Sequence, residues 1–438
     1  MEDNLSVLSD DLVAYILGRL PPKSLLTFKR TCKRWCSFIS DPKFQRIYTF
    51  NLQSLSSCYP AGLFTEITCY CCDRVREATY YVSTRQRFVS QNILDFLPVR
   101  TALVGSSNGI LCCRSLDLSR CKIDRFHNVP SVTKLPLIEP PLPLVFYICN
   151  PATKEWISLR LPPRFNLGKA FGFAFDPDGP SFTLVGLQHS CHKPGRCSFV
   201  IYDSKLKTWR KSKEFDCFAL GIHPEKHVFL NGRCYWITYR TIFDESGVHD
   251  CDFHMVIFDI MNESCEVIKL PHISTRDSAF PRRCCLGVSK GHVLYVCAYR
   301  YEMKIWQFDP NETTHWVPAA LRFPSLAEFL NEPCPPIDDP EQYVCSSRVK
   351  PYYLYDDVLF LGTIGKLGYY NIKSGEYVPH LGISTNLSYD TMCLMYWPTS
   401  FPLKRFGIRR LQTQGCYPCT RTRKRKRYVL SPKRSPLS

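Results

Sequence analysis

The chain has 438 residues, of which 45% are hydrophobic and 22% are charged, and its formal net charge at pH 7 is +17. This length is enough for two or more domains with a large core, and the composition is typical of a soluble globular protein. The acidic N-terminus has no signal-peptide pattern and no uncharged apolar run approaches transmembrane length, so neither secretion nor a membrane association is expected.

The positive charge is concentrated at the C-terminus. Residues 404–438 hold twelve Lys and Arg and no Asp or Glu, which leaves a net charge of +5 for the rest of the chain. The folded body therefore gives no electrostatic reason to expect nucleic-acid binding.

Cysteine is frequent, with 24 residues, yet its density is below that of a small disulfide-bonded scaffold. Adjacent pairs at Cys71-Cys72, Cys112-Cys113 and Cys284-Cys285 lie in apolar, strand-like runs. Since the chain shows no export signal, we interpret these residues as buried thiols.

Residues 8–44 predict three short helices. Ser9 is a suitable N-cap for the first, and two aspartates follow in the first turn, where the helix dipole favours negative charge. The Pro21-Pro22 pair ends this helix, and its second proline suits the start of the next one. The predicted apolar stripes are Leu12, Ile16, Leu17 and Leu20 in the first helix, Leu25, Phe28 and Cys32 in the second, and Trp35, Phe38 and Ile39 in the third.

Helices this short cannot bury so much apolar surface by themselves. Leu, Pro and Trp exposed at this density favour a surface that packs on another protein. A small helical cap packed on the downstream part of the same chain explains the pattern about as well, so the residues alone leave both interpretations open.

The stretch resembles the F-box, a motif that begins Leu-Pro-x-Asp-Leu and continues through an apolar helix and a Leu-Pro pair to a Ser-Leu-x-x-Phe-Lys-x-Val-Cys-Lys-x-Trp run. The matching positions are Leu8, Asp11, Leu12, Ile16, Leu17, Leu20, Pro21, Ser24, Leu25, Phe28, Lys29, Cys32, Lys33, Trp35, Ile39 and Phe44. Ser9 and Thr31 depart from the motif, at positions where Pro and Val are common. The resemblance implies docking on a Skp-type adaptor, with the adaptor-binding residues Leu8, Leu12, Ile16, Leu20, Pro21, Leu25, Phe28 and Trp35.

From about residue 100 onward, one pattern recurs. A β-rich run ends in Asn or Asp, a polar turn follows, and a large or apolar residue begins the return. An Asx side chain starts a turn by bonding its own backbone, and an aromatic residue anchors the returning strand, so each repeat predicts a hairpin. The Asx positions are Asn150, Asp203, Asp259, Asp309 and Asn371, which are separated by 53, 56, 50 and 62 residues.

A second hairpin precedes each of these repeats, with tight-turn dipeptides at Asn108-Gly109, Asp178-Gly179 and Asn231-Gly232. Two hairpins per repeat, at a period near fifty residues, predict a β-propeller with four strands per blade. Strand-like runs at 60–103 and 386–403 can join into one more blade, which would close the ring and remove its exposed edges. We therefore expect six blades, with seven as the alternative; an open β-sandwich array accounts less well for the regular period.

The pairing of SSNGILCC (106–113) with YICNPATKEW (147–156) resembles the F-box-associated domain of plant F-box proteins, a divergent, kelch-like propeller, although the chain has no Gly-Gly doublet. The expected fold is multidomain α+β, with a short α-helical F-box, an all-β propeller and a disordered basic tail. The expected boundaries are 1–48 for the F-box, 49–99 for a linker with the first propeller strands, 100–403 for the propeller and 404–438 for the tail.

Two segments contain residue types that bind metals. The first is a polar loop with His189, Cys191, His192 and Cys197. Its spacing matches no common zinc finger or ribbon, so we expect chance clustering. Cys416 and Cys419 form a lone C-x-x-C without a second pair. No nucleophile motif, phosphate-binding loop or paired-carboxylate signature stands out, and neither a metal, a cofactor nor catalysis is expected.

The tail has no core-forming pattern and is predicted to be disordered. Its basic cluster resembles a nuclear-import signal and consists of Arg421, Arg423, Lys424, Arg425, Lys426 and Arg427. A solvated tail with weak attraction to nucleic acid is the alternative. We favour import, and expect the protein in the nucleus, the cytoplasm or both. Ser431 precedes Pro-Lys-Arg and resembles a proline-directed kinase site.

The two resemblances together imply a substrate receptor of a Skp–cullin–F-box ubiquitin ligase that has no active site of its own. The F-box would dock on the adaptor and, through it, join a cullin, while the propeller binds an unidentified target protein. The alternatives are an interaction protein that works outside a ligase, for which the basic tail favours the nucleus, and a propeller enzyme with a site at the centre of the ring.

Overall fold

The computed structural model consists of a small helical unit followed by β-sheets, and the residues that it describes leave gaps along the chain. The described residues are 9–20, 22–41, 43–44, 48, 61–68, 79–83, 89–91, 93–115, 144–165, 167, 170–176, 179–190, 196–216, 221–243, 249–271, 284–299, 302–312, 315–319, 323, 349–363, 366–380, 390–399 and 401–406.

The helical unit contains α1 (Asp10–Leu17), α2 (Pro22–Phe28) and α3 (Lys33–Ile39). The predicted helix starts are confirmed: the Ser9 hydroxyl accepts a hydrogen bond from the Leu12 backbone N–H at 3.3 Å, and α2 begins at Pro22. The buried core of the unit consists of Leu17, Leu25, Ile39, Phe44 and Tyr48. The three helices therefore share a small hydrophobic core of their own.

The described residues after the helical unit form strands β1 to β25 and one 3-10 helix. The strands are β1 (Gly62–Thr68), β2 (Tyr80–Ser83), β3 (Val89–Gln91), β4 (Thr101–Ser107), β5 (Ile110–Ser115), β6 (Val145–Asn150), β7 (Glu155–Arg160), β8 (Phe171–Asp176), β9 (Ser181–His189), β10 (Arg196–Asp203), β11 (Thr208–Lys211), β12 (Phe215–Asp216), β13 (Gly221–Leu230), β14 (Arg233–Phe243), β15 (His249–Asp259), β16 (Ser264–Lys269), β17 (Cys284–Ser289), β18 (His292–Tyr299), β19 (Glu302–Phe308), β20 (Trp316–Pro318), β21 (Lys350–Tyr355), β22 (Val358–Thr363), β23 (Lys366–Asn371), β24 (Tyr377–His380) and β25 (Asp390–Tyr396). The 3-10 helix spans Leu403–Phe406.

Among the described residues, these strands form five sheets built from antiparallel meanders. Strands β4–β7, β8–β11 and β13–β16 each form one meander, with β12 added to the second through β10, and the order β25-β1-β2-β3 forms another. The remaining sheet has eight strands, because the meanders β17–β20 and β21–β24 join through a short parallel pairing of β17 with β21. The sheets therefore differ from the six separate blades expected, since two meanders merge edge to edge.

Strand β25 pairs with β1 and closes the ring. The register runs from Gly62 opposite Tyr396 to Thr68 opposite Asp390, which confirms that the two ends of the sheet region join. The inner strands follow one another around the ring, since β4 lies against β8, β8 against β13, β13 against β17, β17 against β21, β21 against β25 and β25 against β4. This arrangement is propeller-like.

The predicted Asx turns are confirmed by backbone hydrogen bonds. The Asp203 carboxylate accepts the Lys205 backbone N–H at 2.7 Å, and the Asn371 side-chain oxygen accepts the Lys373 backbone N–H at 2.8 Å. Asn150, Asp259 and Asp309 accept N–H groups in the same way. Each Asx residue therefore fixes the turn between the last two strands of its meander.

Tryptophan side chains connect successive sheets. The Trp236 indole N–H donates to the Phe171 carbonyl at 3.0 Å, and the Trp209 indole N–H donates to the Arg160 carbonyl at 3.2 Å. The Trp316 indole N–H donates across the next boundary, to a carbonyl of β16, at 2.9 Å. Packing between sheets is thus supplemented by hydrogen bonds that point from one meander to the preceding one.

The segment after β25, residues 397–399 and 401–406, is a C-terminal strap that packs on the earlier sheets. The Asn150 amide N–H groups donate to the carbonyls of Thr399 and Phe401, both at 2.9 Å. The Leu403 backbone N–H donates to the Glu155 carboxylate at 2.8 Å. The Phe401 ring is buried, with its centroid 4.9 Å from that of Phe175 in β8. The strap therefore fastens the closing sheet to the adjacent sheet β4–β7 and to the sheet beyond it, which contains β8.

Candidate protein-docking surface

Helix α1 presents apolar side chains on two faces. Its inward side chains, Val13, Ala14 and Leu17, pack within or against the core of the helical unit, as does Leu20 just after the helix. Its outward side chains, Leu12, Tyr15 and Ile16, have exposed fractions of 44%, 58% and 46%. The single apolar stripe predicted for this helix is therefore wrong, because a step of about 100° per residue puts Leu12 and Leu17 on different faces.

Phe28, the last residue of α2, adds a fourth exposed apolar side chain. Its exposed fraction is 40%, and its ring centroid lies 5.7 Å from that of Trp35, which packs against the core. The stripe predicted through Cys32 is wrong, since Cys32 is the N-cap of α3 and its Sγ accepts the Trp35 backbone N–H at 3.4 Å. We call Leu12, Tyr15, Ile16 and Phe28 the exposed apolar set.

The structure separates the sequence-predicted docking residues into three groups. Leu12, Ile16 and Phe28 are exposed. Three others serve the core of the helical unit, and these are Leu20 and Trp35, which pack against it, and Leu25, which is fully buried in it. Leu8 and Pro21 lie outside the described residues. Leu25 is inaccessible at the surface of the helical unit, and its part in docking stays a prediction.

Tyr15 is the exposed residue that the sequence reasoning missed. Its i+3 spacing from Leu12 places both side chains on one face of a helix, which is the signal that could have indicated it. The Arg19 guanidinium carbon lies 3.5 Å from the centroid of the Tyr15 ring. The outward face of α1 therefore ends in an aromatic ring covered by a cation.

The helical unit is basic around this surface. Residues 9–44 contain seven Lys and Arg and three Asp, a net charge of +4. One pair, Arg34 with Asp10 at 3.8 Å, is exposed and contributes little to stability. An apolar set on a unit with net positive charge suits a partner surface that is apolar and carries acidic groups.

Glu66 in β1 is a buried carboxyl whose pKa is raised to about 7, chiefly because burial disfavours the charged form. Its Oε2 accepts the Leu103 backbone N–H at 2.8 Å, and its Oε1 accepts the Thr79 hydroxyl at 3.1 Å. These bonds and the charge of Arg114 favour the ionised form but do not offset the burial. With 1% of Glu66 exposed, its carboxyl connects β1 to β4 and is closed to a substrate.

The described inner strands come close together near the axis of the ring. Strand β13 lies against β25, which stands on the opposite side of the ring. A Cβ atom added at Gly105 in β4 would lie 2.8 Å from the Cβ of Phe173, so β4 and β8 also approach closely. The described inner strands therefore approach one another both across the ring and between neighbouring sheets.

The other sequence candidates fall mostly outside the described residues. Cys191, His192, the Cys416–Cys419 pair, the Pro-rich stretches 130–143 and 332–340, and the basic tail all do so, as does the side chain of His189. Cys197 is buried within an apolar cluster. Cys112, Cys113, Cys284 and Cys285 are buried thiols that form no disulfide, as predicted, whereas Cys71 and Cys72 are not described.

The described residues were also compared with the requirements for a metal site and for a membrane-spanning helix, and they meet neither. No three His, Cys, Asp or Glu side chains in the described part of the chain cluster closely enough to hold a metal ion. No described helix combines the length and the apolar character needed to cross a bilayer.

Comparisons with known proteins match both regions. The family model for the F-box domain matches residues 5–47, and the model for the F-box associated beta propeller domain matches residues 145–402. An F-box protein of Arabidopsis thaliana is 28% identical over 321 residues, covering 70% of this chain and 76% of that protein. A second Arabidopsis F-box protein is 24% identical over 347 residues, covering 72% of each chain. An F-box/LRR-repeat/kelch-repeat protein of the same plant is 24% identical over 270 residues, covering 60% of each chain.

Proposed function

Because the chain belongs to the F-box proteins that carry an F-box associated β-propeller domain, we propose that it is the substrate-recognition subunit of a Skp–cullin–F-box E3 ubiquitin ligase. The observation that carries this proposal is the exposed apolar set on a helical unit that already has its own core. Apolar residues left outside a complete core are explained by a partner. In this family, the expected partner of the F-box is a Skp-type adaptor, through which a cullin joins the complex.

The free energy gained by burying the exposed apolar set supports docking through these residues. Fully burying a Leu, Ile or Phe side chain is worth roughly 1.5–3 kcal/mol. Leu12, Ile16 and Phe28 are about half exposed, so covering them recovers part of that free energy at each site. Side chains of this kind act as anchors when a partner encloses them and excludes water.

The sheet region is proposed to bind the target protein. We count the eight-stranded sheet as two blades joined by the β17–β21 pairing, which gives a six-bladed, kelch-like propeller. A closed ring positions its loops rigidly, and loops on a rigid scaffold commonly carry binding specificity. In this role the protein performs no bond chemistry; it raises the effective concentration of the target's lysines near a ubiquitin-conjugating enzyme.

The protein is proposed to act in the nucleus, the cytoplasm or both. The support is the basic cluster Arg421 and 423–427, whose composition resembles an import signal. Replacing the five residues 423–427 by alanine in a fluorescent fusion should shift the protein from nucleus to cytoplasm. An unchanged distribution would contradict the import role.

Co-purification with an adaptor tests the main proposal. The full chain, co-expressed with a Skp-type adaptor, should retain it through purification, and Leu12→Ala combined with Ile16→Ala should lose it. Leu206→Ala is a matched control, since Leu206 is 63% exposed in the turn between β10 and β11. If the double variant retains the adaptor as well as the wild type does, the docking surface is misassigned.

An interaction protein that works outside a ligase is the second candidate. The co-purified complex of the chain with the adaptor distinguishes it from a ligase subunit. A ligase subunit should bring a cullin into the adaptor complex and direct ubiquitin onto a bound target. Adaptor binding without cullin recruitment would favour the second candidate.

A further inference from the structure

Tyr15 and Arg19 form a single structural element at the end of α1. The Tyr15 ring is 58% exposed, and the guanidinium carbon of Arg19, which lies in the turn after the Gly18 C-cap, is 3.5 Å from its centroid. At about 100° per residue, positions 12, 15 and 16 of α1 fall within an arc of roughly 100°. The pair therefore continues the face that presents Leu12 and Ile16.

The pair is held together before any partner arrives. Cation–π contact at an exposed site is worth about 0.5–1 kcal/mol. The turn after the Gly18 C-cap brings the Arg19 side chain back over the Tyr15 ring. Stacking occupies one face of the planar guanidinium and leaves its N–H donors, which lie in its plane, available to other groups. Two long side chains are thus ordered in advance, which lowers the entropy lost on binding.

Arg19 has its charge available for a partner. It is exposed, and it forms no ion pair with any carboxylate among the residues that the structure describes. Asp10, at the start of the same helix, is instead paired with Arg34 at 3.8 Å. The guanidinium donors above Tyr15 therefore face solvent, where a carboxylate of another protein can accept two parallel hydrogen bonds.

We propose that Tyr15 and Arg19 form a specificity-determining element of the docking surface, which binds an apolar pocket with a carboxylate at its rim. The Tyr15 ring fills the pocket, and Arg19 bonds the carboxylate while it remains stacked. Tyr and Arg are the residue types most often found to dominate the affinity of protein interfaces. The element selects adaptors that have this carboxylate over adaptors that lack it. This inference rests on the proposed function and adds to it the chemistry of the partner.

Affinities measured with the full chain and a purified Skp-type adaptor, at low and high salt, test the inference. Tyr15→Ala and Arg19→Gln should each weaken binding about tenfold, the size expected for an aromatic or charged contact residue. Arg19→Gln should also flatten the salt dependence, because screening acts on the lost charge. Tyr15→Phe keeps the ring and should bind like the wild type, and Leu206→Ala, on a sheet turn, should do the same.

The two single variants and their double variant form a cycle that measures the coupling between the side chains. If the two side chains act as one element, the fold-loss of affinity in the double variant should be smaller than the product of the two single fold-losses. Strictly multiplicative losses would overturn the claim of a single element, and Arg19→Gln with wild-type salt dependence would overturn the carboxylate contact.

Failure of this inference is distinct from failure of the proposed function. If Tyr15→Ala and Arg19→Gln bind like the wild type while Leu12→Ala with Ile16→Ala does not, the element is wrong and the docking surface stands. If the wild-type chain binds no Skp-type adaptor at all, both are overturned. Circular dichroism of each variant checks that the helices are retained. If Tyr15→Ala loses its helices, Arg19→Gln still tests the element.

Discussion

The helical unit and the sheets use their apolar residues differently. The helical unit buries five large side chains and leaves another four, the exposed apolar set, open to solvent. The sheets bury several extended clusters, and their two most exposed large apolar residues, Leu206 and Met261, lie on separate turns. A unit of about forty residues has much surface for its volume, so its apolar residues exceed what its core can enclose. The difference supports the proposal that a partner covers the exposed side of the helical unit, whereas the ring of sheets is completed by its own closure.

The two regions also differ in how their stability is distributed. The helical unit depends on one small core, whereas the ring is held by strand pairing, the strap, buried Glu66 and indole hydrogen bonds between sheets. Loss of one contact in the ring leaves the other connections in place. The following substitutions test this contrast.

Leu25→Ala should have the largest effect and should be confined to the helical unit. Leu25 is fully buried, and truncating a buried Leu to Ala costs about 2–5 kcal/mol. A loss of this size is comparable to the stability expected for so small a core. Hydrogen exchange should show loss of protection in α1 to α3 with the sheets unchanged. Equal loss in the sheets would show that the two regions fold as one.

Glu66→Gln should make the propeller more stable at alkaline pH. The pKa of Glu66 is raised from its usual 4.5 to about 7, so the folded state keeps a proton that the unfolded chain releases between these values. The free energy of unfolding contributed by this group therefore falls as pH rises from about 4.5 to 7, by roughly 3 kcal/mol, and is constant above that window. Gln stays neutral and can accept the Leu103 N–H and donate to the Thr79 hydroxyl.

Denaturant unfolding of the propeller from pH 4.5 to 8 measures this effect. Compared with the wild type, Glu66→Gln should show a similar free energy of unfolding at the acidic end and a higher one at pH 8. The groups that face the carboxyl are Thr79, Leu103 N–H, Arg114 and Cys113, and none of them changes in the variant. Parallel pH profiles for the two proteins would show that Glu66 does not keep its proton on folding.

Asn150→Ala should destabilise the propeller by about 2–3 kcal/mol, because it leaves two buried carbonyls without donors. The matched control is Asp203→Ala, which removes the same kind of Asx turn but no bond to the strap. Its cost should be about 1 kcal/mol, the usual size for a side chain that bonds a turn or cap. Equal losses in thermal unfolding would show that the strap contributes no stability.

Trp209→Phe should have the smallest effect, about 1 kcal/mol. Phe retains an aromatic ring but cannot donate to the Arg160 carbonyl, which the indole reaches at 3.2 Å. The exposed turn variant Leu206→Ala should stay within about 0.5 kcal/mol of the wild type. If Trp209→Phe also falls within that range, indole bonding between sheets is dispensable and packing alone joins them.

Local chemistry made much of this fold predictable. Ser9 capping, the Pro22 helix start and the Asx turns at Asp203 and Asn371 depend on neighbours two or three residues away, so they are readable from sequence. The pairing of the two ends was also predictable, because an unclosed ring would leave exposed strand edges.

Long-range contacts were not predictable in this way. The inward and outward faces of α1 could not be told apart, because Val13, Tyr15 and Leu17 are all apolar or aromatic and the helix is hydrophobic nearly all round. The link from Glu66 to Leu103 and the strap bond from Asn150 to Phe401 join residues far apart in the chain. A short polar residue in a strand carries no local signal of such a partner.

Hydrogen exchange of the full chain, with and without a purified Skp-type adaptor, tests most directly whether the helical unit and not the propeller faces the ligase. We expect slower exchange in α1 and at the end of α2, around Leu12, Ile16 and Phe28, with exchange in β1 to β25 unchanged. Slower exchange in the sheets with none in α1 would contradict it, and so would an adaptor that leaves the whole chain unaffected.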